Sequence, residues 1–412
     1  MRFPLLIVGI SLIIACEPLA AADKPQTVIV VTDNSWKGTS KETKDWQNDK
    51  GSEDGWVAAV PGPGPGIESE NFSAANMFAF ETKARWIWAG PAETCILRRS
   101  FEVPKNFRRA EMLFAADDVA DIYINGRRVA AFDTQLVAWG GRGCALLVDL
   151  VPYLNEGKNL VALGITNRLG PKGFAAEIRI DGDPFVPRLE APKPLPKELE
   201  KEFNDLAKRL DDDDFEVRNQ AEAKLVALIG KHGIVLKPKL EALKKSDSAE
   251  VRNRADVLWA ALVKKAPELD TSKDPRMHIP ALTVDALEEV LRSDATKQIV
   301  AMRHLLPARQ LLADNEKGLS EMLTKSLKNA TDQQTERLVA FISFLEIESL
   351  DKSLVEVLQQ KPKTAAAAAA ASALGRFGKT THTKALEEAA QCGYEPAERA
   401  AKHALRVLKE RE

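Results

Sequence analysis

The sequence predicts a multidomain chain in which an all-β sandwich is followed by an all-α solenoid. Trp and Gly are concentrated in the first half: six of the seven Trp lie at or before Trp139, and 17 of the 23 Gly precede residue 190. Short apolar runs separated by turns fill the same half. The second half has long Ala, Leu, Glu and Lys stretches and an internal repeat. With 412 residues, the chain is longer than one typical domain.

Composition excludes several classes of protein. Lys and Arg total 58 against 60 for Asp and Glu, a net charge of −2, so the chain lacks the basic surface that nucleic acid binding needs. Hydrophobic residues make up 45%, which excludes wholesale disorder. Five His and four Cys leave little material for metal chemistry. We therefore predict no nucleic acid partner and no cofactor.

Residues 1–22 have the pattern of an export signal peptide. Arg2 precedes the apolar stretch Phe3–Ala15, and Ala20–Ala22 offers an A-x-A cleavage site. The residues before Cys16 also resemble a lipobox, in which Cys16 would be acylated. Soluble export and lipid anchoring both stay open. Either way we expect a location outside the cytoplasm: periplasmic, extracellular or anchored in the cell envelope.

The first half has the pattern of an antiparallel β-domain, residues 23–183. Asn125-Gly126 suits the positive φ angles of a tight hairpin turn between two strands. Trp86 and Trp88 alternate, which predicts that they share one face of a sheet. Many strands separated by turns are typical of a sandwich or jelly roll. The predicted strands are 28–31, 84–88, 95–103, 110–115, 121–124, 128–132, 146–150, 160–166 and 174–180.

A set of short motifs in this half carries a family resemblance. In order they are Arg85–Trp88, Leu97–Pro104, Ala115–Asp118, Asp121–Val129, Val148–Leu154 and Gly157–Leu163. Over about residues 80–182 the sequence resembles the galactose-binding-like jelly roll that is appended to many glycoside hydrolases, including α-L-rhamnosidases. The resemblance implies this fold. It leaves carbohydrate binding open, because many such modules serve only as spacers.

The second half, residues 197–412, repeats. It follows a proline-rich segment, 184–196, that we interpret as a semi-rigid linker. Asp213–Ala221 aligns with Asp247–Ala255 at an offset of 34 residues, which predicts stacked helical hairpins. The D-x-x-E-V-R-x-x-A pattern resembles a HEAT repeat. We expect each Asp to cap the next helix, and Arg218 and Arg252 to pair with the Asp of a neighbouring repeat.

The helical pattern continues to the end of the chain. Four more segments each divide into two helices: 284–312, 319–345, 350–377 and 384–408. The run Ala365–Ala371 predicts a closely packed helix, which Gly375 and Gly378 would end. Three prolines between 266 and 280 predict a joint that breaks the stack.

Cys95 and Cys144 lie in the same predicted domain. An export compartment allows them to form a disulfide. Two buried thiols are the alternative, because spacing alone cannot bring their Cα atoms into bridging range. Cys392 would be left over.

Ligand-binding residues are predicted in the β-domain. Trp139 and Arg142 flank a glycine-rich turn, where an aromatic ring and a guanidinium could meet a sugar. Asp117 and Asp118 form a carboxylate pair whose alternatives are a solvated strand end, a contact to structural Ca²⁺ or sugar, or catalysis. Asp211–Asp214 is interpreted as a helix junction with a weak attraction for Ca²⁺.

These observations lead to three hypotheses. The first is an exported, non-enzymatic scaffold whose sandwich holds a carbohydrate and whose helical repeats bind a protein partner. It is favoured because no G-x-S-x-G, H-E-x-x-H or Walker motif occurs. The second is an accessory glycoside hydrolase with a site between the two halves. The third is a structural protein of an envelope assembly in which both halves bind proteins.

Overall fold

The computed structural model of the chain describes residues 27–61, 73–135, 142–187, 195–265 and 282–411. Within these ranges the first half forms strands and the second half forms helices, so the chain is multidomain and contains both structural classes. Among the described residues, no helix is both long and apolar enough to span a membrane.

The β-region has two antiparallel six-stranded sheets in the part of the chain that is described. The first has the order β10-β7-β12-β5-β4, with β1 also paired to β12, and the second has the order β3-β2-β6-β11-β8-β9. The strands are β1 Val28–Val31, β2 Lys37–Thr39, β3 Val57–Ala58, β4 Val60–Pro61, β5 Ile87–Trp88, β6 Thr94–Val103, β7 Ala110–Asp117, β8 Val119–Ile124, β9 Arg127–Asp133, β10 Leu146–Asp149, β11 Gly157–Thr166 and β12 Gly173–Ile180.

Most strand predictions agree with these bounds. Asn125 and Gly126 have φ angles of 52° and 83° and join β8 to β9, which confirms the predicted hairpin turn. The prediction for the tryptophan pair is wrong in part. Trp86 and Trp88 are both buried, but in different hydrophobic clusters. Strand β5 begins only at Ile87, so the alternation of a regular strand does not extend to Trp86.

The helices of the described ranges are α1 Ala74–Phe78, α2 Lys197–Lys208, α3 Phe215–His232, α4 Lys237–Lys244, α5 Ala249–Lys265, α6 Val284–Arg292, α7 Met302–Lys328, α8 Asp332–Leu345, α9 Asp351–Gln360, α10 Ala365–Phe377, α11 Thr383–Ala389 and α12 Glu395–Lys409. Helix α7 is kinked at Asn315, where φ is −153°. The division of the last four segments into helix pairs is therefore confirmed. The predicted joint at 266–280 lies outside the described residues.

Helices α2–α5 enclose a hydrophobic cluster of their own. Equivalent hydrogen bonds recur at the 34-residue offset. Nη1 of Arg218 donates to the carbonyls of Asp212 and Asp213. Nη1 of Arg252 donates to the carbonyls of Ser246 and Asp247. The repeat arginines thus hold the backbone of the preceding turn, and the predicted pairing with a neighbouring Asp is wrong. Arg218 does reach the neighbouring repeat, but through a glutamate: its Nε lies 3.3 Å from Oε1 of Glu250.

The helix caps are also shifted by one residue from the prediction. Asp214, rather than Asp213, accepts a hydrogen bond from the N–H of Glu216 at the start of α3. Ser248, rather than Asp247, accepts from the N–H of Val251 in α5. In both repeats the capping residue is the one directly before the first helical residue, where a side-chain oxygen reaches the exposed N–H groups.

Helix α1 and the helical region α6–α12 share one hydrophobic cluster with the outer face of the first sheet. Alternate residues of β7 point to opposite faces: Met112 and Phe114 lie between the two sheets, whereas Leu113 and Ala115 share a cluster with the helices. All eight residues of β7 are buried as a result. The order of layers is therefore second sheet, first sheet, helices.

Backbone hydrogen bonds join the helical region to the edge of the first sheet. The N–H of Leu147 in β10 donates to the carbonyl of Val300, and the N–H of Met302 donates to the carbonyl of Ala145. The segment before α7 thus covers an edge that would otherwise expose unpaired backbone groups.

Helix α10 is the centre of the helical layer. Most of its alanines are buried, and it packs against α8, α9 and α12. Gly378 ends the helix, as predicted, but Gly375 lies inside it. A Cβ atom at Gly375 would come within 3.0 Å of the Cα of Ala404, so this glycine permits close contact between α10 and α12.

Candidate functional site

A cleft of about 690 Å³ lies between the β-sandwich and the helical layer. Its size is within the range of small-molecule sites. One wall is formed by β9, by β10 and by the turn that contains Tyr153; the other is formed by α8, α10 and the start of α12. The polar groups on its walls are Arg127, Arg128, Asp133, Asp149, Tyr153, Lys297, Gln333, Glu336, Arg337 and Tyr394.

Two tyrosines and one glutamate act on each other electrostatically in the cleft. Burial raises the pKa of Tyr153, and the charge of Glu336 raises it further. Burial and Glu336 also raise the pKa of Tyr394. Both phenols therefore remain protonated at neutral pH, and both tyrosines line the cleft. The charge of Arg127 opposes the rise in both pKa values, and Arg127 forms an ion pair with Glu395.

Glu336 and Arg337 are consecutive residues at the start of α8. The side chain of Glu336 is exposed, but the protein that surrounds it at longer range disfavours its charge and raises the pKa of its carboxyl group. Burial lowers the pKa of Arg337, an effect that the charge of Glu336 opposes. Both charged forms are thus less well solvated than at an open surface.

The other two carboxylates of the cleft are held by arginines. Asp133 accepts hydrogen bonds from Nη1 and Nη2 of Arg168 at 2.8 and 2.9 Å. Asp149 lies 3.1 Å from Nη2 of Arg376. The guanidinium of Arg168 holds the pKa of Asp133 below its usual value.

The predicted carboxylate pair lies beside this cleft and not in it. Asp117 ends β7, and burial, reinforced by the charge of Asp118, raises its pKa to about 7. Burial disfavours the charge of Asp118 too, but hydrogen bonds from the N–H groups of Arg168 and Leu169 and from Thr134 outweigh it and lower the pKa. One proton is therefore held on Asp117 up to neutral pH. Asp118 fixes the turn that follows β9.

The remaining predicted residues are not brought together. Nη1 of Arg142 donates to Oδ1 of Asn76 at 3.3 Å, and Arg142 does not line the cleft. Trp139 and Cys16 lie outside the described residues. Cys95 and Cys144 are two separate buried thiols in different hydrophobic clusters, so the disulfide alternative is not found in the structure. Cys144 lies against the sulfur of Met77.

The predicted Ca²⁺ contacts involve carboxylates that bind protein donors. Asp211 accepts from the hydroxyl of Ser248, and Asp212 accepts from the N–H of Asp214. Within the described ranges, no three His, Cys, Asp or Glu side chains are arranged to hold a metal ion.

Sequence reasoning did not identify the residues of the cleft. Tyr153, Lys297, Glu336 and Tyr394 are far apart in the chain and belong to no local motif. One signal was available: the chain has only three tyrosines, and two of them line this cleft.

Comparisons with known proteins return glycoside hydrolases. No protein-family model matches the chain. A stretch of 128 residues is 26% identical to an α-L-rhamnosidase of Streptomyces avermitilis and covers 29% of this chain and 11% of that enzyme. The chain thus spans about one tenth of the length of this curated relative.

Similar solved structures come from the same class. A glycosyl hydrolase family 2 member of Bacteroides cellulosilyticus is 18% identical over 37% of this chain and 20% of its own, with a TM-score of 0.26. A β-glucuronidase of Bacteroides uniformis is 18% identical over 40% and 18%, with a TM-score of 0.25. The S. avermitilis α-L-rhamnosidase with L-rhamnose is 24% identical over 23% and 10%, with a TM-score of 0.21.

Proposed function

We propose that this chain is an exported, non-enzymatic binding protein that takes a carbohydrate into the cleft between its sandwich and its helical layer. In this proposal the sandwich is a jelly roll of the galactose-binding-like type, and the helical region is of the HEAT type. The cleft itself is the observation that supports the proposal. It combines two tyrosine rings with several hydrogen-bonding groups within a volume suited to a small ligand.

The chemistry of the cleft walls suits a sugar. A pyranose has an apolar face that can lie on an aromatic ring, and Tyr153 and Tyr394 offer such rings. Its hydroxyl groups both donate and accept hydrogen bonds. Glu336 accepts, Arg337 donates, and the phenols do both.

The ion pairs that two of the cleft carboxylates form favour binding without catalysis. Hydrolysis of a glycosidic bond uses one carboxylic acid and one carboxylate across the bond. Glu336, with its raised pKa, suits the role of the acid. Asp133 and Asp149, however, are both engaged by arginine side chains. An accessory glycoside hydrolase that uses Glu336 is therefore the second candidate. Cleavage of an oligosaccharide that Glu336→Gln abolishes, with binding retained, would establish it.

Blocking the cleft tests the binding proposal. Ala369 lines the cleft on α10, so Ala369→Trp should fill it and abolish binding to any glycan that the full chain retains on an array. Ala223→Trp introduces the same ring at an exposed position of α3 and serves as the matched control. If no glycan binds the full chain, or if Ala369→Trp binds normally, the cleft is not a carbohydrate site.

A separate variant tests the prediction that a sugar binds at Trp139, beside the glycine-rich turn. Trp139→Ala should leave binding unchanged if the sugar lies only in the cleft. A loss of binding in Trp139→Ala, but not in Ala369→Trp, would place the sugar at the glycine-rich turn instead.

A protein partner is proposed for the repeat unit α2–α5. Phe215 and Val257 are large apolar residues on its surface, and their side chains are 58% and 50% exposed. A photo-crosslinking residue at Val257 should therefore capture one defined protein in the native cell envelope, whereas the same residue at the exposed Glu321 of α7 should not. Equal labelling at both positions would contradict this proposal. Selective capture together with no glycan binding would instead favour a purely structural role.

Export is the last part of the proposal, and it depends on residues 1–22. Mass spectrometry of the mature N-terminus distinguishes the alternatives. Cleavage after Ala22 indicates a soluble exported protein, an acylated Cys16 indicates a lipoprotein, and an intact Met1 in the cytoplasm would overturn export.

A further inference from the structure

Some charged side chains of the cleft form ion pairs with other side chains of this protein, and others do not. Arg128 pairs with Asp121, and Arg127 pairs with Glu395. Asp133 and Asp149 pair with arginines, as described above. Each of these four side chains therefore has an oppositely charged partner within the protein.

Three charged side chains of the cleft remain. Within the described part of the chain, Lys297, Glu336 and Arg337 have no ion pair or side-chain hydrogen bond. Together they carry a net charge of +1, from one carboxylate and two cations. Arg337 is also half-buried, so its charge is poorly solvated, and the charge of Glu336 compensates for this only in part.

The two cations lie on neighbouring elements. Lys297 belongs to the short 3₁₀ helix Asp294–Gln298, which packs against α8, the helix that carries Arg337. The planar guanidinium of Arg337 can bind a carboxylate through two parallel hydrogen bonds, while the ammonium of Lys297 supplies a second charge. A doubly charged phosphate is less suitable, because Glu336 adjoins Arg337 and would repel it.

We propose that the cleft selects carbohydrates that carry a carboxylate, such as a hexuronic acid residue, with Arg337 and Lys297 holding the carboxylate and Glu336 accepting from a ring hydroxyl. This inference rests on the proposed carbohydrate binding and adds the class of sugar. Tyr153 and Tyr394, which also line the cleft, would contact the ring and its other hydroxyls.

The test uses the full chain and matched pairs of oligosaccharides. Oligogalacturonate, oligomannuronate and a glucuronate-containing oligosaccharide are each compared with their carboxyl-reduced forms by isothermal titration calorimetry. At least one acidic oligosaccharide should bind ten-fold or more tightly than its reduced counterpart. A sulfated galactan oligosaccharide is included, and tighter binding of it than of every uronate would overturn the assignment to a carboxylate.

Two variants separate the roles of the cations. Arg337→Gln and Lys297→Gln should each weaken the acidic ligand ten-fold or more while leaving the reduced form within two-fold. Arg292→Gln removes the same charge at an exposed position outside the cleft and should change neither. Having two variants keeps the test valid if one of them fails to fold, which circular dichroism would detect.

The results also distinguish the two proposals. Equal binding of acidic and reduced oligosaccharides would overturn the selectivity and leave carbohydrate binding intact. Binding of neither form would overturn the proposed function, and the selectivity with it.

Discussion

Arg376 of α10 binds Glu111 of β7 across the boundary between the helical layer and the sandwich, with Nη1 and Oε1 2.8 Å apart. The two side chains are only 4% and 2% exposed. Burial alone would raise the pKa of Glu111, but Arg109 and Arg376 outweigh it and hold the pKa below its usual value. Arg109 also reaches Glu346 in the helical layer. A buried ionic network therefore connects the two regions.

Arg376→Met should destabilise the protein by about 3–5 kcal/mol, because it leaves the carboxylates of Glu111 and Asp149 buried without their shared cation. Urea unfolding would measure the loss. Arg292→Met removes an exposed arginine that pairs with Glu288, so its cost should stay below about 0.5 kcal/mol. If the two substitutions cost the same, the network does not stabilise the junction.

Gly375→Ala should destabilise the protein by about 1–3 kcal/mol, because the new methyl group would overpack the contact with Ala404 in α12. Gly230→Ala is the matched control. It lies in α3, and a Cβ atom there meets nothing within 4 Å, so the better helix propensity of alanine should stabilise by about 0.5–1 kcal/mol. Thermal unfolding would measure both. Effects of the same sign at the two sites would contradict the close packing of α10 and α12.

The helix caps of the repeat unit can be tested by single substitutions. Asp214→Ala should cost about 0.5–2 kcal/mol, since the N–H of Glu216 loses its acceptor. Asp213→Ala removes the carboxylate that the sequence pattern favoured and should be nearly neutral. Urea unfolding followed by helix circular dichroism would compare the two. A larger effect at Asp213 would restore the original interpretation of the repeat.

The protonation of Asp117 predicts a pH dependence of stability. Its pKa is about 7 in the folded state against an ordinary value of 3.8, so the folded state retains a proton that the unfolded state releases between these values. Stability should therefore fall as pH rises from about 4 to about 8, by ~2–4 kcal/mol. Asp117→Asn should remove this fall, because its amide carries no titrating proton and can still donate to Asp118.

The difference in the free energy of unfolding between wild type and Asp117→Asn isolates the contribution of Asp117 to the pH dependence. Burial lowers the pKa of His403 to about 4, so His403 makes stability increase with pH over the acid range. This contribution is the same in both proteins and cancels when their free energies of unfolding are subtracted. Urea unfolding at pH 4.5, 6 and 8 would measure it. Asp54→Asn, at an exposed position, is the control and should keep the pH profile of the wild type. A flat difference between wild type and Asp117→Asn would show that Asp117 is ionised throughout.

Local patterns predicted the local structure well. The period-two runs became strands, Asn125-Gly126 became a hairpin turn, and the 34-residue repeat recurs down to individual hydrogen bonds of Arg218 and Arg252. The packing of the helices onto the sheet was not predicted, because Glu111 and Arg376 are 265 residues apart in the chain. One signal was present: β7 reads AEMLFAAD, and the unbroken apolar run Met112–Ala116 within it indicates a strand that is covered on both faces.

The site was predicted least well, for a related physical reason. A sequence pattern identifies only sites whose polar or aromatic residues cluster along the chain, as at Asp117-Asp118. The cleft, in contrast, arises from the docking of two regions, and Tyr153 and Glu336 belong to different ones. Only the three-dimensional arrangement brings such residues into one electrostatic environment.

The covering of the first sheet by helices limits how the chain can be divided. A fragment that stops before α2 would expose Leu113, Ala115 and Leu147 to solvent and would leave Glu111 without Arg376. Such a surface is a template for self-association. Glycan retention by the truncated protein would then report non-specific adsorption to this surface and not specific recognition. The fragment would also lack the half of the cleft that the helices form.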